Sequence, residues 1–314
     1  MQIYLAPMEG ITTFVYRNAL AHYYGGIDKY FTPFLSNKNL SSKEINDVSP
    51  EHNKGLWVVP QILTNRAESF LSIAARLADY GYREVNLNLG CPSGTVVAKK
   101  RGAGFLSIPD ALDLFLEEIF EKCPLDISIK TRIGRESADE WEKLLTIYGK
   151  YPLKELIVHP RLQREFYEGT PHVEAFRMAQ KMFPTLPLCY NGDIVSKASY
   201  NAVTGRLAPL QRIMLGRGVL THPTLPMTLK AQSSEAITSV EDIKRFQAFH
   251  DEILEGYKEL MSGDQPVMFR MKELWTYMGR GLGLTDKQIK QIRKCKRIEE
   301  YRSIIDRICQ TVRV

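Results

Sequence analysis

The sequence predicts an α/β chain: a closed (β/α)8 barrel followed by an all-helical C-terminal domain. Three observations predict it. Eight short β-rich runs recur along the first two-thirds of the chain, helical patterns lie between most of them, and after residue 240 only helical periodicity remains. Alternating strand and helix favours a parallel sheet, because parallel strands need a crossover long enough to bring the chain back to the same edge.

The strand runs, in order, are "IYLA" (3–6), "KYFTPF" (29–34), "WVVPQI" (57–62), "EVNLN" (84–88), "ISIKT" (127–131), "ELIVH" (155–159), "LCYN" (188–191) and "RIMLG" (212–216). Eight such units suggest the TIM-barrel architecture, at the compact end of its range. Between them "RAESFLSIAARLADYG" is closed by Gly81, and "IPDALDLFLEEIFEKCP" opens at Pro109 and stops at Pro124. The polar connection 35–55 reads as an excursion over one mouth of the barrel. An open doubly wound sheet would want a GxGxxG turn after an early strand, and the sequence has none. Past "THPTLPMTLKAQSSEAITS" the patterns 240–261, 267–282 and 286–312 are helical, which divides the chain into a barrel domain, 1–235, and a helical domain, 236–314.

With 314 residues and 44% hydrophobic content the chain can bury a large core. No apolar run approaches the roughly 20 residues of a membrane span, and the N-terminus lacks a signal pattern, so a cytoplasmic protein with no membrane partner is expected. The five cysteines are scattered without a CxxC pair, which predicts reduced thiols and no metal site. A monomer is expected. From Asp264 to Val314 there are 12 Lys and Arg against 6 acids, with 30 against 30 elsewhere, so the whole net charge of +6 sits at the C-terminal end.

Barrel enzymes carry their chemistry at the C-terminal ends of the strands. Those ends read Pro7-Met8-Glu9, Gln61, Asn88 with Cys91, Lys130, His159, Asn191-Gly192-Asp193 and Gly216-Arg217. Polar groups ending one apolar run after another point to a shared site. "NGDI" and "GRG" after the last two strands place glycines where backbone N–H groups can approach an anion, the usual phosphate position of such barrels.

"APMEG", "NLGCPS" with "KKRGAGFL", "IKTRIG", "VHPRLQREFYEG", "NGDI" and "GRG" together resemble the tRNA-dihydrouridine synthases, from about Tyr4 to Arg217 and more weakly beyond. The resemblance implies an FMN barrel with NADPH as reductant and a helical domain that helps hold tRNA. It implies that Pro7, Met8 and Glu9 line the flavin, with Gln61 at the ring edge, Lys130 near N1 and O2, and His159 near ring and phosphate. Asn191, Gly192, Asp193, Gly216 and Arg217 would hold the phosphate, and Asn88 and Cys91 would face the uracil. The chain departs at Leu162 and Glu165, where many relatives have Thr and Gln.

Reducing the uracil C5–C6 bond needs a hydride at C6 and a proton at C5 from the opposite face. A thiol at Cys91 can be that proton donor if it stays protonated, and the Asn88 carbonyl can orient the base. Candidates for tRNA phosphate contacts are Lys290, Arg293, Lys294 and Arg297 in the basic end, and Lys99, Lys100, Arg101, Arg161 and Arg164 near the site. A flavin barrel reducing a free pyrimidine, of the dihydroorotate or dihydropyrimidine type, or a non-catalytic RNA-binding barrel would share parts of this pattern; the first has little use for a basic helical end.

Overall fold

The computed structural model describes residues 1–207, 209–231 and 239–311. The expected boundary at 235/236 lies outside the described residues. The chain runs β1 (Gln2–Leu5), α1 (Phe14–Tyr23), β2 (Lys29–Phe31), α2 (Ser42–Val48), β3 (Val58–Val59), β4 (Gln61–Ile62), α3 (Ala67–Asp79) and β5 (Glu84–Leu89). It continues through α4 (Gly94–Val97), α5 (Pro109–Lys122), β6 (Asp126–Arg132), α6 (Glu140–Tyr148), β7 (Leu156–His159), α7 (Val173–Met182), β8 (Leu188–Tyr190), α8 (Lys197–Thr204) and β9 (Arg212–Leu215). Two short helices follow, α9 (Arg217–Thr221) and α10 (Leu225–Ala231).

Every strand pair is parallel. The third predicted run splits into β3 and β4 because Pro60, between them, has no N–H to give the ladder. Its carbonyl still accepts the Asn86 N–H at 2.9 Å. The sheet order β3-β2-β1-β9-β8-β7-β6-β5-β4 therefore starts and ends on two halves of one strand, and nine segments form the eight staves of a closed barrel. Side chains alternate across each stave. Tyr4, Ala6, Phe31, Val59, Ile157, Cys189 and Met214 form one apolar cluster, while Ile3, Leu5, Ile213 and Leu215 belong to the larger core that includes the helices.

The start of the strands is closed by buried charge. Lys29 Nζ donates to Glu84 at 2.8 Å and Glu155 at 3.0 Å, and the Tyr4 hydroxyl donates to Glu155 at 2.8 Å. The excursion 35–55 is ordered by α2, whose capping box joins the Ser41 hydroxyl to the Glu44 N–H and the Glu44 carboxylate to the Ser41 N–H.

The C-terminal helices are α11 (Val240–Leu260), α12 (Asp264–Gly281), α13 (Asp286–Lys294) and α14 (Ile298–Thr311). They dock on the barrel. The rings of Tyr16 in α1 and Phe249 in α11 meet edge to face at 5.7 Å, and the Tyr257 and Thr13 hydroxyls share a 3.0 Å bond. At the end of α12, a Cβ on Gly281 would run into the Thr221 carbonyl of α9, so glycine sets that close approach.

Candidate active site

At the C-terminal mouth of the barrel lies a cavity of about 480 Å³. Of the residues expected there, Pro7, Met8, Glu9, Asn88, Cys91, Lys130, His159, Asn191, Gly192, Asp193, Gly216 and Arg217 all line it. The barrel brings them together because they stand at or just past the ends of six of its staves.

Asn86 and Asn88 alternate onto one face of β5, and both serve a buried chain of amides. Gln61 Nε2 donates to the Asn86 side-chain oxygen at 2.8 Å, and Asn88 Nδ2 donates to the Gln61 oxygen at 2.7 Å. Asn86 Nδ2 in turn donates to the Ser128 hydroxyl at 2.9 Å. The Asn88 Oδ1 accepts the backbone N–H groups of Gly90 at 3.0 Å and Cys91 at 2.8 Å, which turns the chain and sets the Cys91 backbone. Two expectations are corrected by this. The Asn88 carbonyl is spent on the turn and cannot orient a base; what Asn88 has left is its second amide N–H. Gln61 is fully buried, does not line the cavity and holds Asn88 instead.

Burial pushes the Cys91 thiol above its ordinary range, against the pull of the Ser93 N–H and the Arg132 and Lys130 charges, so it is protonated at neutral pH. Lys130 is brought down to about 8 by burial and then by the neighbouring Arg132. His159 lies well below the usual histidine range for the same first reason, reinforced by Arg132, Lys130, Arg161 and Arg217, and is neutral. The guanidinium of Arg161 can only donate, so its 3.2 Å contact makes His159 Nε2 an acceptor and leaves the imidazole proton on Nδ1.

Arg161 was expected at the RNA-facing surface, and the structure places it in the interior with no side-chain exposure. It grips Asp193 through both terminal nitrogens, at 2.9 and 2.5 Å, and Arg217 reaches the same carboxylate at 2.7 Å. Asp193 has a positive φ of 47°, and this double clamp holds the strand-end turn that carries it. Lys99, Lys100 and Arg164 are exposed and Arg101 is half-buried, none of them in the cavity; Lys290, Arg293, Lys294 and Arg297 are exposed on and just after α13. Glu165 has an internal task too, accepting the Leu162 N–H at 2.7 Å and pairing with His172 at 2.7 Å.

Sequence reasoning missed several lining residues. Arg132 follows Lys130 by two positions on β6, a same-face spacing that could have found it. It is buried and ties two loops together, donating to the Gly90 carbonyl at 3.0 Å, Leu162 at 2.7 Å and Phe166 at 2.6 Å. Tyr167, from the loop after β7, stacks near His159 with ring centres 6.0 Å apart, and Arg132 and Arg217 lie 5.4 and 5.0 Å from its ring centre. Thr276, Tyr277 and Arg280 reach the cavity from α12, and nothing local in the sequence signals that. Among the described residues no cluster of His, Cys, Asp and Glu could hold a metal ion, and no helix is long and apolar enough to cross a membrane.

Comparison with known proteins bears on this arrangement. The family model described as dihydrouridine synthase (Dus) matches residues 4–303, which extends the likeness from the barrel into α14. The tRNA-dihydrouridine(16) synthase of Pseudomonas putida is 30% identical over 241 residues, covering 74% of this chain and 74% of its own. A Bacillus subtilis protein named as a tRNA-dihydrouridine synthase is 27% identical over 229 residues, covering 70% of this chain and 69% of its own. Among solved structures, an old yellow enzyme homologue from Zymomonas mobilis superposes with a TM-score of 0.51 at 10% identity, over 77% of this chain and 91% of that one, a likeness of fold.

Proposed function

The chain belongs to the dihydrouridine synthase family, and from that premise we propose that it reduces the C5–C6 double bond of a D-loop uridine in tRNA, with FMN as cofactor and NADPH as reductant. The observation that carries the reading is the cavity itself. A thiol kept protonated by burial, a lysine and an anion-ready pair of strand ends share one barrel mouth, and α12 of the basic C-terminal region forms part of its wall.

The residues present fit FMN. Asn191, Gly192, Gly216 and Arg217 line one side of the cavity, where the first turn of α9 has amides without intrahelical partners. A Cβ on Gly216 would sit 3.6 Å from Met8 Sδ and take up cavity space. Ala6, Met8, Ile11 and Met214 supply apolar wall for a ring system. When bound, FMN supplies the hydride for C6.

The chain's own residues supply the rest. Cys91 Sγ–H delivers the proton to C5, and its raised pKa keeps that proton available at neutral pH. The Lys130 ammonium favours negative charge nearby and is the more effective for being desolvated. His159 offers Nδ1–H as a neutral donor. Gln61 and Asn86 hold Asn88, and Asn88 holds the Cys91 turn, so the acid is fixed from within the barrel. Residues 1–235 are the catalytic part and 236–314 the part that holds tRNA, with α12 contributing to both.

The test is direct. The purified protein is expected to show a flavin spectrum and, with NADPH, to add two hydrogen atoms to one uridine of a tRNA transcript, read by mass spectrometry and mapped to its position. Free uracil and orotate serve as competing substrates. Turnover of a free pyrimidine but not of tRNA would replace this reading with that of a small-molecule reductase, and tRNA binding without flavin or turnover would replace it with that of a binding protein.

A further inference from the structure

Phe166 sits where a glycine would be at ease. With φ 48° and ψ −98° it is the first central residue of a turn that the Glu168 N–H closes on the Glu165 carbonyl at 2.8 Å. Those dihedrals are close to a type II′ turn, in which that position is dominated by glycine because a Cβ there crowds the backbone. A bulky residue in this region is strained.

The strain is maintained by buried groups. Arg132 Nη2 donates to the Phe166 carbonyl at 2.6 Å, and the Phe166 N–H donates to Gln163 at 3.1 Å. Arg161 holds the far side of the turn through the carbonyls of Glu168 at 3.0 Å and Gly169 at 2.5 Å. Two interior guanidiniums thus hold an uncomfortable turn whose phenylalanine gains little from burial, since it is 47% exposed. Its neighbour Tyr167 lines the cavity, and Arg164, two residues before Phe166, is exposed.

Chemistry on a base in folded RNA requires that base to leave its stack and enter a pocket. The bases on either side then lose a stacking partner. An exposed aromatic ring next in the chain to a cavity residue can replace it, and every base has a face to stack. We propose that Phe166 is a stacking post for the nucleobase adjacent to the uridine that enters the cavity; this rests on the function proposed above. The post does not read sequence. It holds the neighbouring nucleotide in the unstacked arrangement that the reaction needs.

Phe166→Gly separates this role from a structural one, because glycine suits the turn while removing the ring. The variant is expected to melt at or above the wild-type temperature and to keep its flavin content and its NADPH oxidation without tRNA. Its kcat/KM for tRNA is expected to fall about 5- to 100-fold, the scale of one lost base–aromatic stack. Phe166→Trp should keep kcat/KM near wild type. Two transcripts carrying 2-aminopurine on one or other side of the mapped uridine should show, at one position, quenching by the wild type that the Gly variant lacks. Wild-type kcat/KM in Phe166→Gly, or no difference in quenching at either position, overturns the proposal. A wild-type protein that never hydrogenates tRNA overturns the function reading and the post with it, whereas a wild type that hydrogenates tRNA beside an unchanged Phe166→Gly overturns the post alone.

Discussion

Replacing Lys290, Arg293, Lys294 and Arg297 together with Gln should flatten the salt dependence of tRNA binding while leaving the barrel chemistry alone. All four are exposed, and none makes an ion pair with a carboxylate among the described residues. On α13, Lys290 and Lys294 are one turn apart and lie away from buried Ile292, which turns into the core. Each phosphate contact contributes about 0.7 to 0.9 to the slope of log K against log salt, so four contacts give a ceiling of about 3. If half of the four touch phosphate, the slope should fall by about 1.5. The assay is tRNA affinity measured from low to moderate KCl, with helicity and flavin content as controls. An unchanged affinity and an unchanged slope would mean that these charges form a solvated face and that tRNA is held elsewhere.

Three further outcomes are expected. Cys91→Ala should leave flavin reduction by NADPH and tRNA binding near wild type, while dihydrouridine formation falls about 10²-fold or more; wild-type turnover rejects the proton-donor role. Lys130 carries its charge below about 8 and loses it above, so the flavin-free protein should bind FMN about tenfold more weakly as pH rises through that value, and Lys130→Met should abolish this pH dependence. At the other end of the barrel, Lys29→Met leaves the carboxylates of Glu84 and Glu155, with side chains only 8% and 3% exposed, without their ammonium. Unfolding should then cost about 3 to 5 kcal/mol less at pH 7. Burial already pushes the Glu155 carboxyl up, so in denaturant melts the deficit should shrink as pH falls and that acid takes up its proton, and a pH-independent deficit would point to lost packing instead.

The sequence alone carried the staves of the barrel and most of its mouth. Period-2 and period-3.6 patterning is local, and a parallel barrel places the end of each strand at one rim, so Pro7, Cys91, Lys130, His159, Asn191 and Arg217 could be named without coordinates. The Ser41–Glu44 capping box was equally local and was there to be read in the excursion after β2. What the fold decided depends on contacts between residues far apart in the chain. The run 286–312 breaks into α13 and α14 where Asp264, at the start of α12, accepts the Ile298 N–H at 3.0 Å and Lys272 takes the Cys295 carbonyl, since partners from another helix can end a helix that its own residues would continue. Arg161 has the charge of an RNA contact but is held by Asp193 and interior carbonyls, because a cation's role is set by the nearest buried acceptors rather than by its type. Tyr277 and Arg280 enter the site only because Gly281 lets α12 close on α9, and such an approach between segments some 60 residues apart leaves no pattern in the sequence around either.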